Sequence, residues 1–221
     1  MILCAAKTAK AQTIIISTSD NQITPGFDNQ GWWSVNRTNE YVTENYLVGI
    51  SPDSKNNDVK HNFFTFDLSQ ITKVVISARL ELTRFGYNAD SDQETLGLFD
   101  VSTNAITLNT TTGVSSIIFD DLGSGNSYGE MVITSNGLSS DIVSAELNVQ
   151  AISDINASLG GWFSIGGSLL TPGSPNYGGS ETLFGYSHES DGIQQLVLEV
   201  IPEPASLILM TFGSLLVFKR K

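Results

Sequence analysis

Short runs in which apolar and polar residues alternate recur along the chain between residues 12 and 200. The clearest is Ala78-Arg79-Leu80-Glu81-Leu82-Thr83-Arg84, with Ala78, Leu80 and Leu82 on one face and Arg79, Glu81 and Thr83 on the other. Successive side chains of a strand point to opposite faces, so this period of two predicts a half-buried β-strand. Phe64, Phe66 and Leu68 alternate in the same way within 61–68, as do Leu196, Leu198 and Val200 before the C-terminal region. Further strands are predicted at 13–17, 44–49, 96–101, 115–119, 131–134, 142–147, 162–165 and 183–186. The helical period occurs once, at 150–159, where Ile152, Ile155 and Leu159 share a face and Gly160-Gly161 supplies a stop.

Glycine, serine, threonine and asparagine punctuate these runs, the turn chemistry of an all-β chain. The pattern predicts an all-β fold: a jelly-roll-like antiparallel β-sandwich with one short helix, plus a C-terminal apolar helix. The organisation expected is a remnant of a secretory signal at 1–11, one sandwich domain at 12–200 and a sorting tail at 201–221.

The tail is the sharpest signal. Pro202-Glu203-Pro204 precedes fourteen uncharged residues, Ala205 to Phe218, and then Lys219-Arg220-Lys221. A buried helix of a soluble domain needs only one apolar stripe, whereas this run is apolar all round. At about 1.5 Å per residue it spans roughly 21 Å as a helix. That is short against a hydrocarbon core of about 30 Å, which favours a transient membrane handle over a permanent anchor. The basic cluster belongs on the cytoplasmic side, which places the body across the membrane. The two prolines hold the preceding backbone out of helix, where a protease can reach it.

Taken together, Pro202-Glu203-Pro204-Ala205, the apolar run and the basic end resemble the PEP-CTERM sorting signal of exported bacterial proteins. The resemblance implies processing by an exosortase, an integral membrane transpeptidase-like enzyme, and association with exopolysaccharide or biofilm matrix. The family's basic end is often Arg-rich; here Arg220 sits between two lysines. More loosely, Phe63-Phe64-Thr65-Phe66-Asp67-Leu68-Ser69, Ser77-Ala78-Arg79-Leu80-Glu81-Leu82 and Trp162-Phe163-Ser164-Ile165-Gly166-Gly167 resemble the body of many such proteins, a carbohydrate-binding-like β-sandwich. No binding residue carries over from that likeness.

Export requires an N-terminal signal. Ala9-x-Ala11 supplies small residues for cleavage between Ala11 and Gln12, but the apolar core before it is short and no basic region precedes it. The expectation is that translation starts upstream. Cys4 is the sole cysteine and lies in the segment to be removed, without a lipobox. The mature chain would then have no disulfide and no thiolate chemistry.

Charge sharpens the picture. The net charge is −12, and no Lys or Arg occurs between Phe85 and Phe218. Removing both ends leaves Arg37, Lys55, Lys60, Lys73, Arg79 and Arg84 as the basic residues of the body. Such a body repels phosphate backbones, which excludes nucleic acid as a partner. Neutral polysaccharide or divalent cations fit better.

Candidate chemistry is sparse. G-x-S-x-G and H-E-x-x-H are absent, so the expectation is a non-enzyme with no catalytic residue and no obligate cofactor. His61 reads as a strand-edge residue. His188, in Ser187-His188-Glu189, has neighbours in sequence that point in different directions, unlike a triad assembled from separate segments. Asp67 and Glu81 fall opposite the aliphatic stripes of their strands and read as solvated. Asn88, Asp90, Asp92 and Glu94 place oxygen ligands at alternate loop positions, which suits calcium, although the EF-hand pattern fails at Gln93 and Phe99. A plain acidic loop is the competing reading. Adjacent Trp32 and Trp33 must face opposite ways in a strand, and Tyr87, Tyr128 and Tyr177 read as aromatics in polar, glycine-containing loops, where a ring could meet a sugar. The function expected is an exported structural protein of the cell surface or matrix. A carbohydrate-binding module is the alternative, and a glycan-processing enzyme a more distant one.

Overall fold

The computed structural model describes residues 10–34, 36, 39, 45–52, 57–171, 180–185 and 192–201. His188, Tyr177, Pro202-Glu203-Pro204 and Lys219-Arg220-Lys221 lie outside the described residues. The strands are β1 (Gln12–Ser17), β2 (Gln30–Ser34), β3 (Val48–Pro52), β4 (Asn57–Asp67), β5 (Val75–Thr83), β6 (Tyr87–Asn88), β7 (Gln93–Asp100), β8 (Ser127–Thr134), β9 (Ile142–Glu146), β10 (Trp162–Leu169), β11 (Glu181–Leu183) and β12 (Gln194–Val200). Three helices interrupt them: α1 (Ala105–Thr110), α2 (Ser116–Leu122) and α3 (Val149–Ala157).

The fold is an all-β antiparallel sandwich. One sheet runs β1-β12-β5-β9, the other β6-β11-β3-β4-β10-β7-β8, with β2 also paired to β4. The alternation of β5 and β12 does what the sequence predicts: Ala78, Leu80, Leu82, Leu196, Leu198 and Val200 are buried between the sheets. They meet Phe64, Phe66, Leu96, Leu98, Met131 and Ile165 from the larger sheet in one continuous core. At about 25 cal/mol per Å² of apolar surface removed from water, this contact is the main source of stability in a fold without disulfides.

β4 is buried on both faces. Phe64 and Phe66 enter the main core, while Phe63 points the other way and joins Trp33, Leu108, Ile118 and Leu122 in a second, smaller core. That second core is roofed by α1 and α2. Trp33 is fully buried there, whereas its neighbour Trp32 faces the other side of β2 and lies against Lys60, whose Nζ is 5.2 Å from the ring centre. The two tryptophans thus diverge as strand geometry requires.

The structure corrects three expectations and bears out a fourth. Residues 115–119 begin a helix, α2, and not a strand: the Ser115 hydroxyl accepts from the Ile118 amide at 3.3 Å, and burial of Ile118 and Leu122 follows a helical spacing. Among the described residues three helices are present where one short helix was expected in the body, since α1 is too short and too rich in Thr to carry a helical period. The helix expected at 150–159 is α3, started by Asn148, whose side chain accepts from Gln150 and Ala151 amides at 3.0 and 3.1 Å. His61 is not an edge residue: Lys60 and Asn62 on either side of it pair with β2 across one edge of β4, and with β3 and β10 across the other.

α2 can lie on the larger sheet because β10 presents Gly166 beneath it. A Cβ at Gly166 would stand 2.4 Å from the Leu122 carbonyl oxygen. Gly123, just after the helix, leaves room for the His61 ring, which a Cβ would approach to 2.2 Å.

The N-terminal half of β4 carries an ion pair inside the protein. The Lys60 ammonium contacts the Asp58 carboxylate, with the two side chains 4% and 0% exposed, and Lys60 also donates to Ser51 Oγ at 2.8 Å. Ser34 Oγ donates to the same Asp58. Breaking a buried pair leaves one charge uncompensated, which costs far more than replacing both. Asp58→Leu, which removes the carboxylate facing the buried Lys60 ammonium, should lose about 3–5 kcal/mol of stability, and Lys60→Met/Asp58→Leu less than that single change. Denaturant unfolding of both single variants and the double should give a coupling free energy of about 1–3 kcal/mol; strict additivity would show that the pair is not coupled.

Candidate functional site

At one end of the larger sheet the chain leaves a groove of about 470 Å3. Its construction follows from local sequence. Helix α3 presents three faces: Ala151 and Ile155 are fully buried, Asn156 exchanges hydrogen bonds with the Val75 backbone at 2.9 Å each way, and Gln150, Asp154 and Ser158 look into the groove. The last three are spaced i, i+4, i+8, hence one stripe of the helix. The start of α3 is tied to β8, as Asn148 Nδ2 donates to the Ser127 carbonyl at 2.6 Å and its amide to the Tyr128 carbonyl at 2.9 Å.

Opposite α3, the segment after β7 forms the other wall, with Asp100, Ser102 and Thr103. Asp121 of α2 fixes that segment by accepting from the amide and hydroxyl of both Ser102 and Thr103, at 2.6–3.2 Å. Partial burial pushes its carboxyl upward, but these four donors outweigh it and hold the group below the usual carboxylate range. Asp121 is thus a positioning residue for the groove wall.

The floor is aromatic and polar at once. Trp162, half-buried at the start of β10, lines it beside Phe163, whose ring stacks on Tyr128 with centres 5.8 Å apart. The Tyr128 hydroxyl donates to Asp154 Oδ2 at 3.0 Å, and Gln150 Nε2 donates to both oxygens of the same carboxylate at 3.1 Å. Burial, then the hydrogen bond to Asp154 and the negative charges of Asp154 and Asp100, raise the Tyr128 phenol far above its ordinary value. It therefore stays a neutral donor at any physiological pH. Asp100 accepts from the Asn126 amide at 2.6 Å and from its side-chain nitrogen at 3.0 Å. Each carboxylate keeps acceptor positions free, since an ionised carboxylate offers about four lone-pair sites. The groove thus offers an aromatic surface, oriented acceptors and amide donors, with two carboxylates and no cation among its described lining residues.

No protein-family model matches the sequence, and no curated protein does.

The residues singled out from sequence are scattered. Tyr128 is not a loop-tip aromatic but 2% exposed, a side of the groove on β8. Tyr87 on β6 donates to the Ser91 carbonyl at 2.7 Å, under the Arg84 guanidinium. Asn88 ends β6, Asp90 and Asp92 follow in bends, and Glu94 is buried. The Glu94 carboxylate turns to Ser91 and Thr171, accepting from Thr171 Oγ1 at 2.7 Å. Among the described residues no three His, Cys, Asp or Glu side chains converge as metal ligands. Asp67, at the end of β4, accepts from Asn21 and Ser69, while Glu81 pairs with Arg79 at 2.6 Å on the outer face of the other sheet. The two are not brought together. Asp100, Asp154 and Trp162 escaped the sequence reading because the groove joins β7, β8, α3 and β10, which no local period links.

His61 packs between α2 and the sheet, its ring stacked on Phe119 at 3.9 Å between centres. Its Nδ1 lies 2.7 Å from the Phe119 carbonyl, which can only accept, so Nδ1 carries the proton. Burial lowers its pKa below 6.5, partly offset by that carbonyl and by Asp120. The unfolded chain then binds more protons between pH 6.5 and the lower native value, so stability falls as pH drops through that window and loses nothing further below it. His61→Gln should flatten the dependence of Tm on pH between neutral and mildly acid conditions; an unchanged slope would remove His61 from the account.

Proposed function

We propose that the chain is an exported surface or matrix protein that binds neutral glycan in this groove, and that its C-terminal segment is a PEP-CTERM sorting tail. The observation that carries the binding half is the groove itself: Trp162 beside Tyr128, Asp154, Gln150, Asp100 and Asn126. Sugar rings stack their C–H faces on aromatic side chains and donate hydroxyl hydrogens to oriented carboxylates. Asp100 and Asp154 together select against uronic acids and phosphorylated sugars, because an anionic ligand would meet two like charges in one groove.

The sorting half is carried by residue order: polar break, apolar run, basic end. The flanking segments fall outside the strands, as β1 begins at Gln12 and β12 ends at Val200, so a cut between Ala11 and Gln12 and another near Pro202-Glu203-Pro204 leave both strands whole. An exosortase is the processing partner, the inner membrane a transient one with the C-terminus cytoplasmic, and exopolysaccharide the final partner. The protein works without catalysis on this reading.

Affinity electrophoresis through gels containing a neutral glucan or galactomannan should retard the protein, and Trp162→Ala should weaken retention about tenfold or more, the equivalent of about 1.4 kcal/mol. Asp154→Asn, which keeps shape and removes charge, should weaken neutral binding and improve tolerance of an anionic polysaccharide. Unchanged mobility in every gel overturns the glycan reading, and release of reducing ends would replace it with glycan processing. For the tail, the mass of extracellular material should end near Pro202-Glu203-Pro204; intact Lys221 outside the cell overturns sorting by cleavage.

A further inference from the structure

The outer face of the smaller sheet ends in an apolar patch that the fold does not use. Val75 and Val200 are paired and buried, so their neighbours Val74, Ile76 and Ile201 turn outward. They are 58%, 49% and 47% exposed, and the Ile201 amide donates to the Val74 carbonyl at 3.0 Å, which places them side by side. Lys73, one of the few cations of the body, flanks the patch and holds Gln12 at 2.6 Å. The patch sits where β12 ends at Val200, at the junction of the body with the tail.

We infer that Val74, Ile76 and Ile201 form a membrane-docking collar that rests on the lipid surface while the tail is inserted. The inference rests on the membrane-inserted reading of the tail and adds a surface of the body to it. Chain length argues for it. Only Pro202, Glu203 and Pro204 separate Ile201 from the apolar run. Three residues reach at most about 10 Å when extended, so an inserted tail holds this end of the body against the headgroups. Aliphatic side chains beside a lysine suit that boundary, with the ammonium toward lipid phosphates and the methyl groups toward the acyl chains. The rest of the body is acidic and repelled by an anionic surface, which orients this end inward.

The test uses the full chain with Cys4→Ser, carrying one environment-sensitive fluorophore at Ile76→Cys, Ile201→Cys, Thr211→Cys or Leu138→Cys. Each variant is reconstituted into phosphatidylcholine–phosphatidylglycerol vesicles whose acyl chains are brominated. Leu138, 69% exposed in the turn between β8 and β9 beyond the far end of β5, is the control for non-specific partitioning. Quenching at 211, 76 and 201 with none at 138 is the expected result. Quenching at 211 with unquenched 76 and 201 overturns the collar and leaves the tail reading intact. An unquenched probe at 211 overturns the tail reading and the collar with it, and equal quenching at 138 shows partitioning without docking and overturns the collar.

Discussion

The constraint on which this structure depends is that β4 must be dry on both faces. A strand with water on one side needs one apolar stripe; β4 needs two, and it must satisfy its backbone on both edges as well. Phe63 and Phe64 in succession meet the first demand, one in each core. Pairing with β2 on one edge and with β3 and β10 on the other meets the second. One side of the groove is hung from this strand: β10 directly, β7 through β10, and the α1–α2 roof through the second core; α3 is held instead by β8 and by Val75 of the other sheet.

Much of the sandwich was legible because its strands obey a period of two. Leu80, Leu82, Leu196 and Leu198 announce a buried face by alternation alone, and α3 announces itself through Ile152, Ile155 and the following glycines. The roof was not legible. Ser116-Ile117-Ile118-Phe119 is locally a good strand, and only the Ser115 cap and the Ile118–Leu122 spacing favour a helix. His61 was misplaced for the same reason: without the roof, nothing in the sequence reveals what covers it. The groove was hidden more deeply, since its members come from four elements and Tyr128 reads locally as a loop aromatic.

The electrostatics of the groove are set by short-range partners and not by the net charge of the chain. Tyr128 and Gln150 converge on Asp154, and the Asn126 backbone and side chain converge on Asp100. These partners hold both carboxylates in place, which would lower the ordering cost of the glycan binding proposed above. Asp121 does the same for the wall at one remove. A shallow polar groove with pinned acceptors can be selective for hydroxyl donors without a deep cavity.

The order β1-β12-β5-β9 has a further consequence, which concerns time. β1 lies at the edge of its sheet as described, and among the described residues its strand partner is β12, so Thr13 meets Glu199 across a separation of 186 residues. Loop-closure entropy makes so distant a pairing late, and a chain synthesised N-terminus first can form it only after nearly all of it has emerged. Until then β1 is an unpaired edge, open to proteolysis and to pairing with another chain. The final strand of the body is thus also the latch on the first, and the fold closes only once residues 194–200 are in place.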